Sequence, residues 1–146
     1  MDLFDVQPPV EIAPGLILGS LRGLKAILRL NPDVLFPLDR LPGWIWEEGF
    51  RGEVVYYPIT DCDVLPDDVL DELVDAILVR LRAGKRAVLF CVGGHGRTGY
   101  VAACVLHRLG IENPIAFLRR NYSISAVETD AQGEAVFRYI RRHSGT

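Results

Sequence analysis

The chain has 146 residues, of which 49% are hydrophobic and 24% are charged, and its formal net charge is −3. These values predict one globular domain over residues 1–146 and argue against a general nucleic-acid binder. We find no apolar run long enough to span a bilayer and no basic-then-apolar leader, so we expect no membrane insertion. Three cysteines give no even disulfide framework, which favours a reducing cytoplasm.

The first half of the chain predicts three strands. Residues 12–20 indicate a turn followed by a short strand, and residues 21–28 carry a helical pattern. An apolar centre predicts a second strand over residues 33–38, and a third is expected over residues 53–57, before Pro58. The tryptophan-containing segment between these two strands receives no assignment.

The second half is dominated by helices. Apolar residues recur at helical spacing over residues 67–81, and a strand over residues 86–90 follows. A nearly all-apolar helix is expected over residues 98–109, and two more over residues 114–120 and 129–143. Strands that alternate with helices predict an α/β fold, with a mainly parallel sheet of about four to five strands and helices on both faces.

The segment Cys-Val-Gly-Gly-His-Gly-Arg-Thr-Gly, residues 91–99, connects a predicted buried strand to a predicted helix. A strand that turns through glycines into a helix N-terminus favours anions, because backbone N–H groups and the helix dipole meet there. We expect the thiol of Cys91 to ionise easily in such a loop. The guanidinium of Arg97 can grip two phosphate oxygens at once. The loop therefore predicts attack on a phosphate ester.

Two plainer interpretations of this loop remain. Gly94, Gly96 and Gly99 form a G-x-G-x-x-G pattern, which also occurs in dinucleotide-binding folds. That interpretation expects another strand after the helix, where the sequence predicts a further helix, and it gives Cys91 and Arg97 no role. The second treats Cys91 as an ordinary buried thiol.

The loop resembles the signature of the cysteine-dependent protein tyrosine and dual-specificity phosphatases, in which Cys-x5-Arg is followed by Ser or Thr and then Gly. Residues 14–20 are also similar to the opening of many dual-specificity phosphatases. One position departs, since Phe90 stands where the family usually has His. The resemblance implies a phosphatase-like fold, a phosphorylated protein or peptide as substrate, and no metal or organic cofactor.

The resemblance also implies roles for individual residues. Cys91 would be the nucleophile, and the hydroxyl of Thr98 would donate to its sulfur. A Pro-Ile-x-Asp run points to Asp61 as the general acid, with Asp63 as the alternate. Phosphate, sulfate or vanadate would bind a loop made of Val92, Gly93, Gly94, His95, Gly96 and Arg97.

Gln132 has two interpretations that stay open. The run Val-Glu-Thr-x-x-Gln resembles a family segment whose glutamine positions the attacking water. The same residues, Thr129 and Gln132, form a capping box at the start of the last predicted helix.

The family resemblance implies hydrolysis of phosphotyrosine, and of phosphoserine or phosphothreonine as further substrates, by a monomer. The alternatives are a catalytically weak module that binds phosphorylated partners, a phosphoinositide phosphatase, and a thiolate enzyme such as a sulfurtransferase or arsenate reductase. Cys62, beside Asp61, suggests a further hypothesis, a protective disulfide with Cys91.

Overall fold

A five-stranded sheet forms the centre of the computed structural model, which describes residues 7–144. The strands lie in the order β1-β2-β5-β3-β4. Strand β1 is antiparallel to β2, and the other neighbours are parallel, so the predicted mainly parallel sheet is confirmed. The predicted absence of a leader concerns residues 1–6, which lie outside the described residues. The strands are β1 (Val10–Ala13), β2 (Leu16–Ser20), β3 (Val34–Pro37), β4 (Glu53–Val54) and β5 (Ala87–Cys91).

Helices cover both faces of this sheet, as the sequence predicts. One face packs against the two short helices α1 and α2, and the other packs against the four longer helices. Within residues 7–144, no helix has the length and apolarity needed to cross a membrane. The helices are α1 (Leu24–Leu28), α2 (Trp44–Glu47), α3 (Asp67–Arg82), α4 (Gly96–Arg108), α5 (Pro114–Asn121) and α6 (Asp130–Arg142).

Strand β5 is buried on both sides, which explains its unbroken apolar sequence. Successive side chains of a strand point to opposite faces. Phe90 therefore packs in the cluster under α1 and α2, whereas Cys91 lies in the larger cluster beneath α3 to α6. The residue in the family's histidine position is thus a core side chain on the face away from Cys91.

The structure differs from the sequence prediction at three places. Strand β1 occupies part of the segment expected to be a turn, and the turn itself lies at Gly15, whose φ is +83°. Strand β4 ends at Val54, earlier than the sequence predicts. Beyond it, the N–H groups of Val55 and Tyr57 still donate to carbonyls of β3. Helix α4 begins at Gly96, inside the glycine-rich loop.

Helices α3 and α6 are joined by ion pairs at two carboxylates, Asp67 and Asp71. Asp71 lies 2.6 Å from Nη1 of Arg142 and 3.1 Å from Nε2 of His143. Burial alone would raise the pKa of Asp71, but the hydrogen bonds from Arg142 and His143 outweigh it and hold that pKa below its usual value. The ionised carboxylate therefore stabilises the folded chain.

We predict that Asp71→Asn lowers the free energy of unfolding at neutral pH by about 1 kcal/mol. Because the pKa of Asp71 is lowered by folding, its contribution is complete above the usual carboxyl pKa and is lost as the pH falls through the lowered value. Urea unfolding across acidic pH measures this, with Glu112→Gln as the control. A deficit that persists after the carboxylate is protonated would contradict the assignment.

Candidate active site

The predicted phosphate-binding loop lies between the central strand, β5, and the mostly buried helix α4. Strand β5 ends at Cys91, and α4 begins five residues later at Gly96. The Cys91 side chain is almost fully buried, and the hydroxyl of Thr98, in the first turn of α4, donates to its sulfur at 3.0 Å. The strand, the loop and the helix N-terminus therefore bring the thiol and the hydroxyl into contact.

Gly94 fixes the path of this loop. Its φ is +79°, a left-handed conformation that favours glycine. Its carbonyl accepts a hydrogen bond of 2.6 Å from the buried hydroxyl of Tyr122. Within residues 7–144, no acceptor pairs with the backbone N–H groups of Gly93, Gly94 and His95. Three amide donors are thus left beside the helix N-terminus, the environment that favours a bound anion.

The guanidinium of Arg97 is 4% exposed and is held from two sides. Its Nη1 donates to Oδ2 of Asp39 at 2.8 Å and to the carbonyl of Ile59 at 2.9 Å. Burial alone would lower its pKa, but the hydrogen bond to Asp39 and the negative charges of Cys91 and Asp61 raise the pKa above its ordinary value. Arg97 is therefore a fixed positive charge whose Nε and Nη2 edge remains for a ligand.

Asp61 is the carboxylate that approaches this guanidinium. Its Oδ1 lies 3.5 Å from Nη2 of Arg97 and accepts the N–H of Cys62. The side chain is 78% exposed, so it is free to change its contacts. Asp63 instead accepts the N–H of Val64. Of the two predicted acids, the structure brings Asp61 to the loop.

Several of these residues line a small cavity. Its volume is about 180 Å³, and its walls include Cys91, Arg97 and Asp61 together with the loop residues Val92, Gly93, His95 and Gly96. Glu128 completes the wall. Within residues 7–144, no group of three or more His, Cys, Asp and Glu side chains is arranged to hold a metal ion.

The side chain of Gln132 lies both in the N-terminal cap of α6 and beside the glycine-rich loop. Its Oε1 accepts the N–H groups of Thr129 and Glu128, and its own N–H donates to Oγ1 of Thr129, which is the capping box. Its Nε2 and Oε1 both lie 3.2 Å from the point where a Cβ on Gly96 would stand. The carboxamide therefore borders the loop, while its oxygen accepts the two N–H groups of the cap.

Three site residues have no role in the sequence prediction. Asp39, which pairs with Arg97, comes directly after β3, and β3 is a neighbour of β5 in the sheet. Its closeness to Arg97 can be inferred only when the strand order is known. Ser123 accepts or donates a 2.6 Å hydrogen bond with Nδ1 of His95, so this histidine is half-buried and anchored rather than free in solvent. Glu128 lies in the Val-Glu-Thr-x-x-Gln run, in which the family resemblance gives a role only to Gln132.

The other two cysteines differ in burial. Cys104 is fully buried in α4, and burial raises the pKa of its thiol well above the ordinary value, which makes it unreactive. Cys62 is exposed and adopts a φ of +65°. All three cysteines are free thiols, so the Cys62–Cys91 disulfide stays a hypothesis.

A family model described as "Swiss Army Knife protein, DSP-PTPase phosphatase domain" matches residues 43–144. The chain belongs to this family. This family of phosphatase domains agrees with the resemblance stated for residues 91–99.

Two curated proteins match part of the chain. The chain is 40% identical over 88 residues to MJECL20 of Methanocaldococcus jannaschii, covering 60% of each protein. It is 39% identical over 97 residues to MJ0215 of the same organism, covering 66% of this chain and 61% of that protein. Both relatives are uncharacterised, and the matches span about three fifths of their length.

Two solved structures share the fold over most of the chain. The active form of Tk-PTP is 26% identical with a TM-score of 0.80, over 92% of this chain and 97% of that one. Human DUSP28 is 21% identical with a TM-score of 0.77, over 92% and 94%. At this identity the likeness to DUSP28 concerns the fold alone.

We predict that Gly94→Ala destabilises the protein by about 2 kcal/mol and weakens vanadate binding. A Cβ at Gly94 would stand 2.7 Å from the carbonyl oxygen of Gly19, so the loop must shift. Gly84→Ala is the matched control, because Gly84 has a φ of +77° with no atom within 4 Å. Thermal unfolding and vanadate titration measure both effects. Equal losses in the two variants would show that the contact with Gly19 does not matter.

Proposed function

We propose that this phosphatase hydrolyses phosphotyrosine in proteins through a phosphocysteine intermediate. One observation carries the proposal. Cys91, Arg97 and two residues with unpaired amide groups, Gly93 and His95, line one cavity, and Asp61 lines it too. A nucleophile, an oxyanion clamp and a general acid within one small space are the groups that phosphate-ester hydrolysis by a thiolate needs.

In the first step the Cys91 thiolate attacks phosphorus and the bond from phosphorus to the substrate oxygen breaks. The nonbridging oxygens gather negative charge in the transition state, and the loop amides and Arg97 are placed to hold it. The leaving oxygen takes a proton from the carboxyl group of Asp61. The exposure of Asp61 supports this role, because the acid must follow the leaving group.

In the second step water attacks the phosphocysteine. The carboxylate of Asp61 takes a proton from this water, the phosphorus–sulfur bond breaks, and inorganic phosphate and the Cys91 thiolate are released. The Thr98 hydroxyl, 3.0 Å from the sulfur, stabilises the departing thiolate. Since Oε1 of Gln132 is committed to the helix cap, we assign only its Nε2 to orienting the water.

Phosphoserine and phosphothreonine carry the same reacting group, a phosphate monoester, and the same mechanism extends to them. An activated aryl phosphate is the simplest probe, because its leaving group demands little from the acid.

We predict that the protein hydrolyses para-nitrophenyl phosphate in the presence of a chelator and that vanadate inhibits it. Cys91→Ser should abolish turnover, because a hydroxyl is not ionised at neutral pH, and should retain phosphopeptide binding. Steady-state assays and fluorescence anisotropy measure these quantities. Cys62→Ser, which alters an exposed thiol, is the control. Turnover that survives in Cys91→Ser would remove Cys91 from the mechanism, and binding without wild-type turnover would make the protein a phospho-ligand-binding module.

We predict that Asp61→Ala lowers kcat about a hundredfold or more, with the larger loss for leaving groups of high pKa. Asp63→Ala, two residues away in the same loop, should leave kcat within a factor of about two, because its carboxylate contacts only the local backbone. A leaving-group series on both variants measures this. The opposite ranking would transfer the acid role to Asp63.

A further inference from the structure

A groove lies between α5 and α6, beside the catalytic pocket. Its volume is about 640 Å³, more than three times that of the pocket. Glu128 is a wall of both spaces, so the groove adjoins the site. The adjoining residue, Val127, is joined to the catalytic loop by its N–H, which donates to the carbonyl of His95 at 3.4 Å. A chain segment attached to a phosphorylated residue in the pocket can therefore continue into the groove.

The segment that carries Glu128 is held rigidly. Val127 adopts a φ of +63°, a strained conformation for a β-branched residue. Its carbonyl and that of Ala126 both accept hydrogen bonds from the guanidinium of Arg119, at 2.8 and 2.9 Å. The N–H of Glu128 is held by Gln132. The carboxylate of Glu128 occupies the space where a side chain on Gly96 would begin.

The wall of the groove formed by α6 and Glu128 is acidic. Glu128, Asp130 and Glu134 all border it, and none of the three pairs with a cation among residues 7–144. Two arginines stand on the α5 side. The guanidinium of Arg119 donates to the backbone carbonyls described above and keeps its charge, and Arg120 is the second positive charge. The lining therefore carries three carboxylates and two guanidiniums, and the carboxylates on the α6 wall favour a cationic ligand along α6.

An aromatic ring lies on the same wall. Phe137 borders the groove and is 55% exposed, and it stands three residues after Glu134, on the same face of α6. A guanidinium placed over such a ring beside a carboxylate gains both a cation–π contact and an ion pair. The aliphatic part of an arginine or lysine side chain also packs well on an aromatic ring.

We propose that this groove binds a basic, partly apolar segment of the phosphoprotein that flanks the phosphorylated residue. The inference rests on the proposed function and specifies its substrate class. Two observations support this occupant: the carboxylates on the α6 wall attract a basic segment, and the groove adjoins the catalytic pocket at Glu128. The same acidic wall disfavours ligands that carry several phosphates, because each added negative charge meets Glu128 near the loop.

The test compares phosphotyrosine peptides of equal length, flanked on both sides by arginine, by serine or by glutamate. We expect kcat/KM to be about tenfold higher for the arginine peptide than for the serine peptide, and lowest for the glutamate peptide. The preference should shrink as salt is added. Anisotropy with the Cys91→Ser variant should show the same order of affinities. An equal or reversed order would overturn the inference.

Variants of α6 locate the effect. Glu134→Arg and Phe137→Ala change exposed side chains, so the hydrolysis of para-nitrophenyl phosphate should stay unchanged while the arginine preference falls to about twofold or less. Glu47→Gln removes an exposed carboxylate on the opposite face of the sheet and is the matched control. A preference that persists in both α6 variants would exclude the groove.

Two further outcomes separate this inference from the proposed function. Wild-type protein that fails on para-nitrophenyl phosphate would refute the proposed function itself. Hydrolysis of that probe together with faster turnover of phosphatidylinositol monophosphate vesicles than of the arginine peptide would keep the phosphatase and overturn the basic-peptide assignment.

Discussion

The buried guanidinium of Arg97 is the contact on which the arrangement of the site depends. It joins three segments that reach the carboxyl edge of the sheet separately: the end of β3 through Asp39, the acid loop through Ile59 and Asp61, and the start of α4. A buried cation is costly unless it is paired, so these contacts hold together or fail together. The geometry of the phosphate-binding loop is consequently set by charge as well as by packing.

The sheet explains why the loop can serve this purpose. Strand β5 lies between β2 and β3 and is buried on both faces, so its end is rigid. Alternation along the strand sends Phe90 to one core and Cys91 to the other. The family's usual histidine would have to fit among apolar side chains on the Phe90 side. In this chain the groups near the sulfur are instead a threonine hydroxyl and the helix N-terminus.

The parts of the site that are close in sequence could be predicted, and the parts that depend on strand order could not. Nine consecutive residues carry the loop, and helical periodicity gives α3, α4 and α6. The ion pair between Asp39 and Arg97 joins positions 58 apart, and nothing local indicates it. The role of Glu128 is hidden for a different reason. Its carboxylate lies beside the loop, and the residue before it, Val127, takes a conformation that its residue type disfavours and that sequence patterns do not indicate.

The contact between Arg97 and Asp61 has a consequence for the order of events at the site. In the proposed mechanism a phosphate dianion would compete with the Asp61 carboxylate for Nη2 of Arg97, because Nη1 is already engaged. Binding of the substrate would then release the Asp61 side chain from Arg97 at the step for which we propose it as the proton donor. Substrate recognition and the position of the proposed acid would thus be coupled through one nitrogen.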